Sequence, residues 1–384
     1  MGKIEIIAEI GKNFVITKEE ESPEVLLERA KTLILEAKKV GADVCKFQVH
    51  NVGDEIHSEA KITSPHFDQD RYEWVKRNTY PIEFWREIKN YCDEIGIEFL
   101  ATPMSKGSAI LLENLGVKRW KVGSGDILDF PMLDFIRNTG KPIIVSSGMS
   151  TIQELKLAYD YLAEKVKDIT ILHCVSNYPC KLENLNLLTI PFLKKQFPKA
   201  KIGFSDHSLE ISTGAMAVSL GAVVVEKHFT LSRKAWGSDH QVSLEPSEFK
   251  QMAKEIRFTR FDLERRELNE KGFIVEDYKN ETKLRRRKFG EPLQPIIKIP
   301  KEALGVETKF INENEIKFRP IFRKGLYASQ DIKQGEIWHN DMIISLRPRL
   351  DGVEPSENYP QFLGKIVNRH YKQYEPLSLE GIHA

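Results

Sequence analysis

Short apolar runs alternate with longer stretches of helical spacing through most of the chain. Eight of these runs are rich in valine and isoleucine, among them IEIIAEIG at 4–11 and VVVEKHFT at 223–230. Continuous apolar runs of this length are typical of strands that are buried on both faces in a parallel sheet. In the stretches between them, such as 23–42 and 82–95, apolar residues recur at every third or fourth position, which predicts helices.

The other helical stretches lie at 106–115, 131–139, 151–166, 184–197, 209–220 and 246–268. Strands that alternate with helices form parallel sheets through right-handed crossovers. Eight strand–helix units within 1–268 match the usual size of a (β/α)8 barrel, about 250 residues. We therefore predict the α/β class, with a (β/α)8 TIM barrel over residues 1–268. An open doubly wound sheet is the alternative, but no GxGxxG sequence follows the first run to favour it.

The character of the chain changes after residue 268. Residues 269–316 are highly charged, include the run from Lys283 to Lys288 and lack the periodicity of a barrel, so we predict a linker. Residues 317–384 contain short β-like pieces and turns, which predict a small second domain that gains stability from docking. We interpret the charged run as a solvated or interface surface, with nucleic-acid binding as the weaker alternative.

Two long segments interrupt the strand–helix rhythm, at 50–80 and at 231–245. Loops of this length in compact domains usually cover or line a binding site. Because each follows a strand at its carboxyl end, we expect both on the catalytic face of the barrel. The alternative is a surface loop that contacts only a neighbouring subunit.

The composition argues against several classes of partner. Lysine and arginine together number 57, and aspartate and glutamate together number 56, so no overall field attracts nucleic acid or an anionic membrane. No apolar run reaches the roughly 18–20 residues of a membrane span, and the N-terminus lacks a secretory pattern. The four cysteines show no CxxC spacing, which indicates reduced thiols. We therefore expect a cytoplasmic protein that binds neither nucleic acid nor membrane.

Polar side chains able to do chemistry follow the apolar runs at their carboxyl ends. Active sites of TIM barrels lie at this end of the strands, so we expect these residues to meet in one pocket. They include Glu9, Lys46, Gln48, Thr102, Lys121, Ser124, Ser146, Ser176, Tyr178, His207, Glu226 and His228.

Two histidines, His207 and His228, follow the seventh and eighth runs. Neutral imidazoles on adjacent strands can share a divalent ion whose shell is completed by carboxylates or water. By themselves, two histidines are equally consistent with structural or general-base roles.

Lys46 and Lys121, with His173 as a possible third group, are candidates for an anion site that the overall charge does not reveal. Serine hydroxyls and backbone N–H groups at such a site supply further donors, as at phosphate sites of this fold. A lysine that lines a barrel can also form a Schiff base, so aldolase chemistry stays open. Glu9 is either a base or a hydrogen-bonding partner for a polyol.

The order of several strings resembles the sialic acid synthase (N-acetylneuraminate synthase) family over residues 4–265. They are AEIGKN, KFQ, KVGSGD, VSSGMS, HCVSNYP, GFSDH, EKHFT and GSDHQVSLEP. The tail from Phe322 to Pro348 resembles the antifreeze-like (SAF, β-clip-like) domain that follows the barrel in that family. The resemblance implies condensation of phosphoenolpyruvate with an N-acetylated hexose and release of phosphate, with a divalent metal, Mn2+ or Mg2+.

The resemblance also implies roles for particular residues. The metal ligands would be His207 and His228. The implied catalytic residues are Glu9, Lys46, Lys121, Asp126 and Asp239, of which Lys46 and Lys121 also bind phosphoenolpyruvate. The implied substrate-binding residues are Gln48, Thr102, Ser124, Ser146, Ser176, Tyr178 and Arg347. The family forms domain-swapped homodimers, in which the arginine matched by Arg347 reaches the sugar site of the other subunit.

The sequence departs from the family pattern near the acceptor-sugar side. Phe14 follows Asn13 where the family often has histidine, ATPMS stands at 101–105, RPRLDGVEP is a longer turn, and the 62–78 segment differs. The acceptor is therefore left open between N-acetylmannosamine, a diacetamido-trideoxy hexose and another sugar. A synthase for a phosphorylated sugar and a non-catalytic sugar-binding protein are the alternative functions.

Overall fold

The computed structural model describes residues 3–58, 70–270, 273–278, 281–286, 299–380 and 382. Residues 59–69 of the predicted loop at 50–80, and residues 287 and 288 of the charged run, lie outside the described residues.

Eight parallel strands form a nearly closed barrel, which confirms the predicted fold. The hydrogen-bonded order is β3–β2–β1–β8–β7–β6–β5–β4, and β3 lies beside β4 at the seam. The strands are β1 (Glu5–Gly11), β2 (Val44–Val49), β3 (Glu98–Pro103), β4 (Trp120–Val122), β5 (Ile143–Ser146), β6 (Ile169–Cys174), β7 (Lys201–Asp206) and β8 (Val224–His228).

Helices surround the barrel, and all eight predicted helical stretches contain one. The helices up to residue 270 are α1 (Pro23–Lys39), α2 (Val52–Glu55), α3 (Arg71–Arg77), α4 (Ile82–Ile95), α5 (Lys106–Asn114), α6 (Phe130–Asn138), α7 (Ile152–Ala163), α8 (Thr189–Gln196), α9 (Thr213–Ser219) and α10 (Pro246–Glu270).

The largest difference from the predicted helices is the late start of α8, at Thr189 instead of residue 184. Asn186 has a positive φ of 46°, so the helix cannot extend through it. Its side-chain amide donates to Thr189 Oγ1 (2.7 Å) and to the carbonyl of Thr308 (2.9 Å). This contact with a distant segment holds the turn before the helix, and local periodicity does not reveal it.

The strands are apolar throughout because both of their faces are buried. Ile7, Leu100 and Leu172 are among the residues that fill the barrel interior, whereas alternate residues such as Ile6 pack against the helices. A Cβ on Gly203 would lie 2.5 Å from Leu172 Cδ2 and 2.7 Å from the carbonyl oxygen of Val224. Glycine is therefore needed in β7 to leave room for this interior layer.

The described residues beyond 270 include two antiparallel strand pairs and two α-helices. The pairs are β9 (Phe273–Tyr278) with β10 (Glu281–Arg286), and β11 (Gly325–Ala328) with β12 (Ile343–Leu346). The helices are α11 (Lys301–Leu304) and α12 (Glu313–Phe322). The first strand pair and α11 fall in the predicted linker, and α12 spans its predicted boundary at 316/317.

Buried polar contacts join the C-terminal segment to the barrel of the same chain. Lys324 Nζ lies 2.7 Å from Asp129 Oδ2 and donates to the carbonyl of Met104 at 2.6 Å. The hydroxyl of Ser345 donates to Asp129 as well. The segment therefore packs against the loops at the carboxyl end of the barrel. None of the helices in the described ranges combines the length and apolar character that crossing a membrane requires.

Candidate active site

One cavity of about 190 Å3 opens at the carboxyl end of the barrel. It brings together every predicted site residue except Arg347. These residues are Glu9, Lys46, Gln48, Thr102, Lys121, Ser124, Asp126, Ser146, Ser176, Tyr178, His207, His228 and Asp239.

Strand register places the residues of the cavity floor in a row. Glu9 on β1 is paired with Lys46 on β2 and with His228 on β8. In the next inward-facing layer, Gln48 on β2 is paired with Thr102 on β3. Because inward-facing residues of neighbouring strands share a level, residues far apart in sequence become contacts.

Two lysines and two glutamates form a buried charge network on the floor. Lys46 Nζ lies 2.6 Å from Glu9 Oε2 and 3.7 Å from Glu226 Oε2. Lys121 Nζ lies 3.7 Å from Glu226 Oε1. Glu226 therefore joins the two ammonium groups, which would otherwise repel each other in a site of low dielectric constant.

The pKa values of these groups respond to burial and to one another. Burial raises the pKa of Glu9, although Lys46 opposes this. Burial also lowers the pKa of Lys121. Burial works against ionised Glu226, but Lys121 and Lys46 outweigh it and lower the pKa of Glu226 to about 2. At neutral pH Glu226 is therefore the fixed negative charge of the floor.

Hydroxyl groups surround the lysines. Lys46 donates to Thr102 Oγ1 at 3.3 Å, and Lys121 donates to Ser146 Oγ at 2.6 Å. Ser124 Oγ accepts from the backbone N–H of Gly148 at 3.1 Å. Two ammonium groups among hydroxyl donors are suited to a multiply charged anion, because charge-assisted hydrogen bonds are the stronger ones.

Gly148 is needed for the serines to meet at this side of the cavity. A Cβ at this position would lie 2.3 Å from Ser176 Oγ and 2.7 Å from Ser124 Oγ. Any larger residue would therefore push these two predicted ligands out of place.

The two predicted metal ligands lie side by side. The ring centroids of His207 and His228 are 5.4 Å apart. His207 Nδ1 carries a proton, because it lies 2.8 Å from the carbonyl oxygen of Val175, and His207 Nε2 lies 3.0 Å from the hydroxyl oxygen of Tyr178. His228 Nδ1 has no hydrogen-bond partner.

The protonation of the two rings differs. Burial would lower the pKa of His207, but Cys174 raises it to about 9. Burial, with nearby His207 and Lys46, lowers the pKa of His228 to about 3. His228 is thus neutral, as a metal ligand must be, whereas a metal on His207 would displace a proton.

In the part of the chain that the structure describes, no group of three or more His, Cys, Asp or Glu side chains is arranged to hold a metal ion.

The residues predicted for the sugar side also reach the cavity. Gln48 donates to Glu9 Oε1 at 2.9 Å. Burial works to raise the pKa of Asp239, but His228 and Lys12 lower it below its usual value. Asp239 belongs to the loop predicted at 231–245, which therefore does contribute to the cavity wall.

Arg347 lies behind the cavity wall and is fully buried. Its Nη2 contacts Asp126 Oδ1 and donates to the carbonyl of Met104 at 3.2 Å, and both of these residues line the cavity. Its Nε and Nη1 have no hydrogen-bond partner. Asp126, which also lies 3.1 Å from Lys324 Nζ, is therefore held by cations from the C-terminal segment.

Helix α12 forms an apolar roof over the cavity through Phe318, Ile321 and Phe322. It is held in place by Glu315, whose Oε1 accepts from the backbone N–H groups of Met149 and Ser176, each at 2.9 Å. This roof comes from a segment in which the sequence predicted little helix.

The sequence interpretation missed several residues of the cavity. Lys12, His50, Arg71 and Trp74 line it, yet none was named as a site residue. His50 and Lys12 follow strands β2 and β1 directly, so their positions after the apolar runs were a usable signal. The sequence placed Glu226 at a strand end but did not predict its role between the two lysines.

His173 is corrected by the structure. It was considered a third cationic group of the anion site, but its Nε2 lies 2.7 Å from the carbonyl oxygen of Leu185 and its ring stacks on Phe204. Burial lowers its pKa to about 4. His173 is therefore a neutral core residue outside the main cavity, because the ring faces the helix side of β6.

Comparisons with known proteins agree with this architecture. The model of the NeuB family matches residues 33–266. An N,N'-diacetyllegionaminic acid synthase of Campylobacter jejuni is 33% identical over 357 residues, which cover 91% of this chain and 94% of that protein. The N-acetylneuraminate-9-phosphate synthase of Homo sapiens is 36% identical over 256 residues, 66% of this chain and 69% of that protein. The crystal structure of the spore coat polysaccharide biosynthesis protein SpsE of Bacillus subtilis is similar with a TM-score of 0.75 at 28% identity, and covers 100% of this chain and 96% of that chain.

Proposed function

Because this chain belongs to the NeuB family, we propose that it is a nonulosonic acid synthase. It condenses phosphoenolpyruvate with an N-acetylated hexose, N-acetylmannosamine or a diacetamido-trideoxy hexose, and releases phosphate. The single observation that carries this proposal is the pair of buried lysines, Lys46 and Lys121, among hydroxyl donors at the floor of the barrel mouth.

The proposed position of phosphoenolpyruvate follows from charge and depth. Its phosphate and carboxylate bind Lys46 and Lys121, with Thr102, Ser124 and Ser146 as further donors. Such a focused cationic site raises the local concentration of an anion although the protein is nearly neutral overall.

We propose that His207 and His228 hold Mn2+ or Mg2+ beside the aldehyde of the open-chain sugar. The two side chains are suited to a metal ion because both lie at the cavity wall and His228 Nδ1 has no hydrogen-bond partner. Water or substrate oxygens would supply the remaining ligands. When bound, such a metal polarises the aldehyde oxygen as a Lewis acid.

In the condensation, the C2–C3 π electrons of phosphoenolpyruvate form the new bond from C3 to the aldehyde carbon, whose oxygen gains a proton. Water then adds to C2 and loses a proton. The hydroxyl of the tetrahedral intermediate gives up its own proton as the bond from C2 to the phosphate oxygen breaks, so that hydrogen phosphate leaves and a ketone remains. Glu9 accepts the proton of the water, a general-base role suited to its raised pKa. Asp126 supplies negative charge that stabilises the developing cation at C2.

We also propose the arrangement that the family resemblance implies for the C-terminal part, an antifreeze-like domain exchanged between the subunits of a homodimer. Within one chain Arg347 already contacts Asp126, so exchange would place an equivalent contact between subunits. Mixing Arg347→Ala chains with Glu9→Gln chains distinguishes an exchanged C-terminal domain from one that stays with its own barrel. Activity returns only if each active site contains residues from both subunits.

The proposed function is tested by incubating the full chain with phosphoenolpyruvate and a panel of N-acetylated hexoses. Product mass by mass spectrometry and released phosphate are measured together. Phosphate release that requires both substrates, with a product heavier than the hexose by a pyruvate unit, supports the synthase. Sugar binding without turnover would support the non-catalytic alternative instead.

A further inference from the structure

A second cationic cluster lines the cavity above its floor, formed by Lys12 and Arg71. Lys12 follows β1, and its Nζ lies 3.0 Å from His50 Nε2 and 3.4 Å from the ring centroid of Trp74. His50 Nδ1 lies 2.7 Å from Glu55 Oε2. The chain of contacts from Glu55 through His50 orients the ammonium of Lys12.

The tautomer of His50 follows from this chain. Burial lowers the pKa of His50 to about 4, so the ring is neutral at pH 7. Glu55 is ionised and accepts a hydrogen bond from the Nδ1–H of His50. Burial works to raise the pKa of Glu55, but His50 and the nearby cations outweigh it and lower this pKa to about 2. Nε2 is then an acceptor for the ammonium of Lys12, and His50 positions Lys12 without neutralising it.

Arg71 contributes the second cation from helix α3. It is only 9% exposed and lines the same cavity. Its guanidinium carbon lies 4.7 Å from the ring centroid of Phe322 in the roof, and its Nε has no hydrogen-bond partner. Within the described ranges, no ion pair joins Lys12 or Arg71 to a carboxylate. Lys12 is partly buried and Arg71 is buried. Cations that are withdrawn from water without a paired anion are costly, which indicates that a bound ligand supplies the negative charge.

The position of this cluster separates it from the phosphoenolpyruvate site. Lys46 is within β2, whereas His50, which orients Lys12, follows the last residue of that strand, and Lys12 follows Gly11, which is paired with Phe47. Lys12 and His50 therefore lie nearer the mouth of the barrel than Lys46 does. With the acceptor hexose bound above phosphoenolpyruvate, as the proposed function places it, the sugar lies between the floor lysines and this cluster. Its aldehyde then faces the floor and its far end faces Lys12 and Arg71.

We propose that Lys12 and Arg71 form a subsite for an anionic oxygen group, a phosphate or a carboxylate, at the end of the acceptor sugar remote from its aldehyde. This inference rests on the proposed function and narrows its N-acetylated hexose to one that carries an anionic group at the end remote from the aldehyde. Arg71 binds the anion through its planar guanidinium, and Lys12 acts as a point charge beside it.

The surroundings of Lys12 predict a pH dependence. Burial lowers the pKa of Lys12 to about 7, Arg71 adds to this, and Asp239, Glu55 and Glu9 oppose it. The free enzyme therefore loses the Lys12 charge as the pH rises through about 7. KM for an anionic acceptor rises over that range, and Lys12→Arg, which stays charged, removes the rise.

The experiment compares three acceptors: N-acetylmannosamine, its 6-phosphate and the matching 6-carboxylate. We expect kcat/KM to be at least tenfold higher for one anionic acceptor than for the neutral sugar. Arg71→Gln and Lys12→Met each lower kcat/KM about 10- to 100-fold for that acceptor, and lower kcat/KM for the neutral sugar by a clearly smaller factor. Lys76 is an exposed lysine on the same helix as Arg71, so Lys76→Gln is the matched control. We expect it to leave kcat/KM unchanged for both the anionic and the neutral acceptor. The better of the two anionic acceptors identifies the chemistry of the group.

Several outcomes overturn the inference, and they are distinguishable. If the neutral sugar is the preferred acceptor, or the two variants lower all three values equally, the subsite does not exist although the synthase does. If no aldose gives a phosphoenolpyruvate-dependent product, the proposed function fails together with the inference. Thermal unfolding of each variant, with Arg71→Lys as a second substitution, separates loss of fold from loss of the contact.

Discussion

Lys46 Nζ lies 2.6 Å from Glu9 Oε2, and the two side chains are almost fully buried on adjacent strands. This pair links the proposed phosphate-binding cation to the proposed base. Their pairing follows directly from the register of β1 and β2.

Glu9→Gln keeps the size of the side chain and its contact with Gln48 but removes the charge. We expect kcat to fall about 10²- to 10⁴-fold, because a general base is lost, with a smaller change in KM for phosphoenolpyruvate. Steady-state kinetics with both substrates varied provide the measurement. An unchanged kcat would rule out the base role of Glu9.

Lys121→Met removes one of the two cations of the floor. We expect weaker phosphoenolpyruvate binding by about 10- to 100-fold, since a charge-assisted contact contributes roughly 1.5–3 kcal/mol. Titration calorimetry with phosphoenolpyruvate alone measures this without turnover. Lys118→Met, an exposed lysine of the same segment, is the control, and equal affinities in the two variants would contradict the assignment.

The proposed metal ligands are tested by binding rather than by activity alone. His228→Ala is expected to abolish high-affinity Mn2+ binding in calorimetry, because only His207 remains. Exposed His339→Ala is expected to bind Mn2+ like the unchanged chain. Turnover that persists after full removal of metal by a chelator would refute the Lewis-acid role.

Buried neutral histidines make the folded state sensitive to acid. Burial lowers the pKa of His50 and of His173 to about 4, whereas both titrate near 6.5 when unfolded. The unfolded chain therefore binds more protons between pH 6.5 and 4, and stability falls as the pH falls through this window. Each histidine contributes up to about 1.4 kcal/mol per pH unit.

Urea unfolding at pH 7.5, 6.0 and 5.0 measures this loss. His173→Gln keeps a donor for the carbonyl of Leu185 but does not titrate, so its stability is expected to fall less steeply with acid. An identical slope in the variant and the unchanged chain would show that His173 is not one of the responsible groups.

The sequence by itself determined the barrel and most of its active face. Apolar runs buried on both sides, alternating with helical stretches, are typical of a covered parallel sheet, and the carboxyl ends of its strands meet at one face. Glu9, Lys46, Lys121, His207 and His228 were therefore placed together by their positions at strand ends alone.

Only the tertiary structure decided which of these groups pair and what closes the cavity over them. Glu226 joins Lys46 and Lys121 because of strand stagger, which no local pattern reports. Arg71 reaches the site from a helix inside a loop, and the roof residue Phe322 comes from a helix held by the distant contacts of Glu315. The physical reason is that strand periodicity depends on neighbours in the chain, whereas ion pairs and helix docking depend on atoms that meet only after folding.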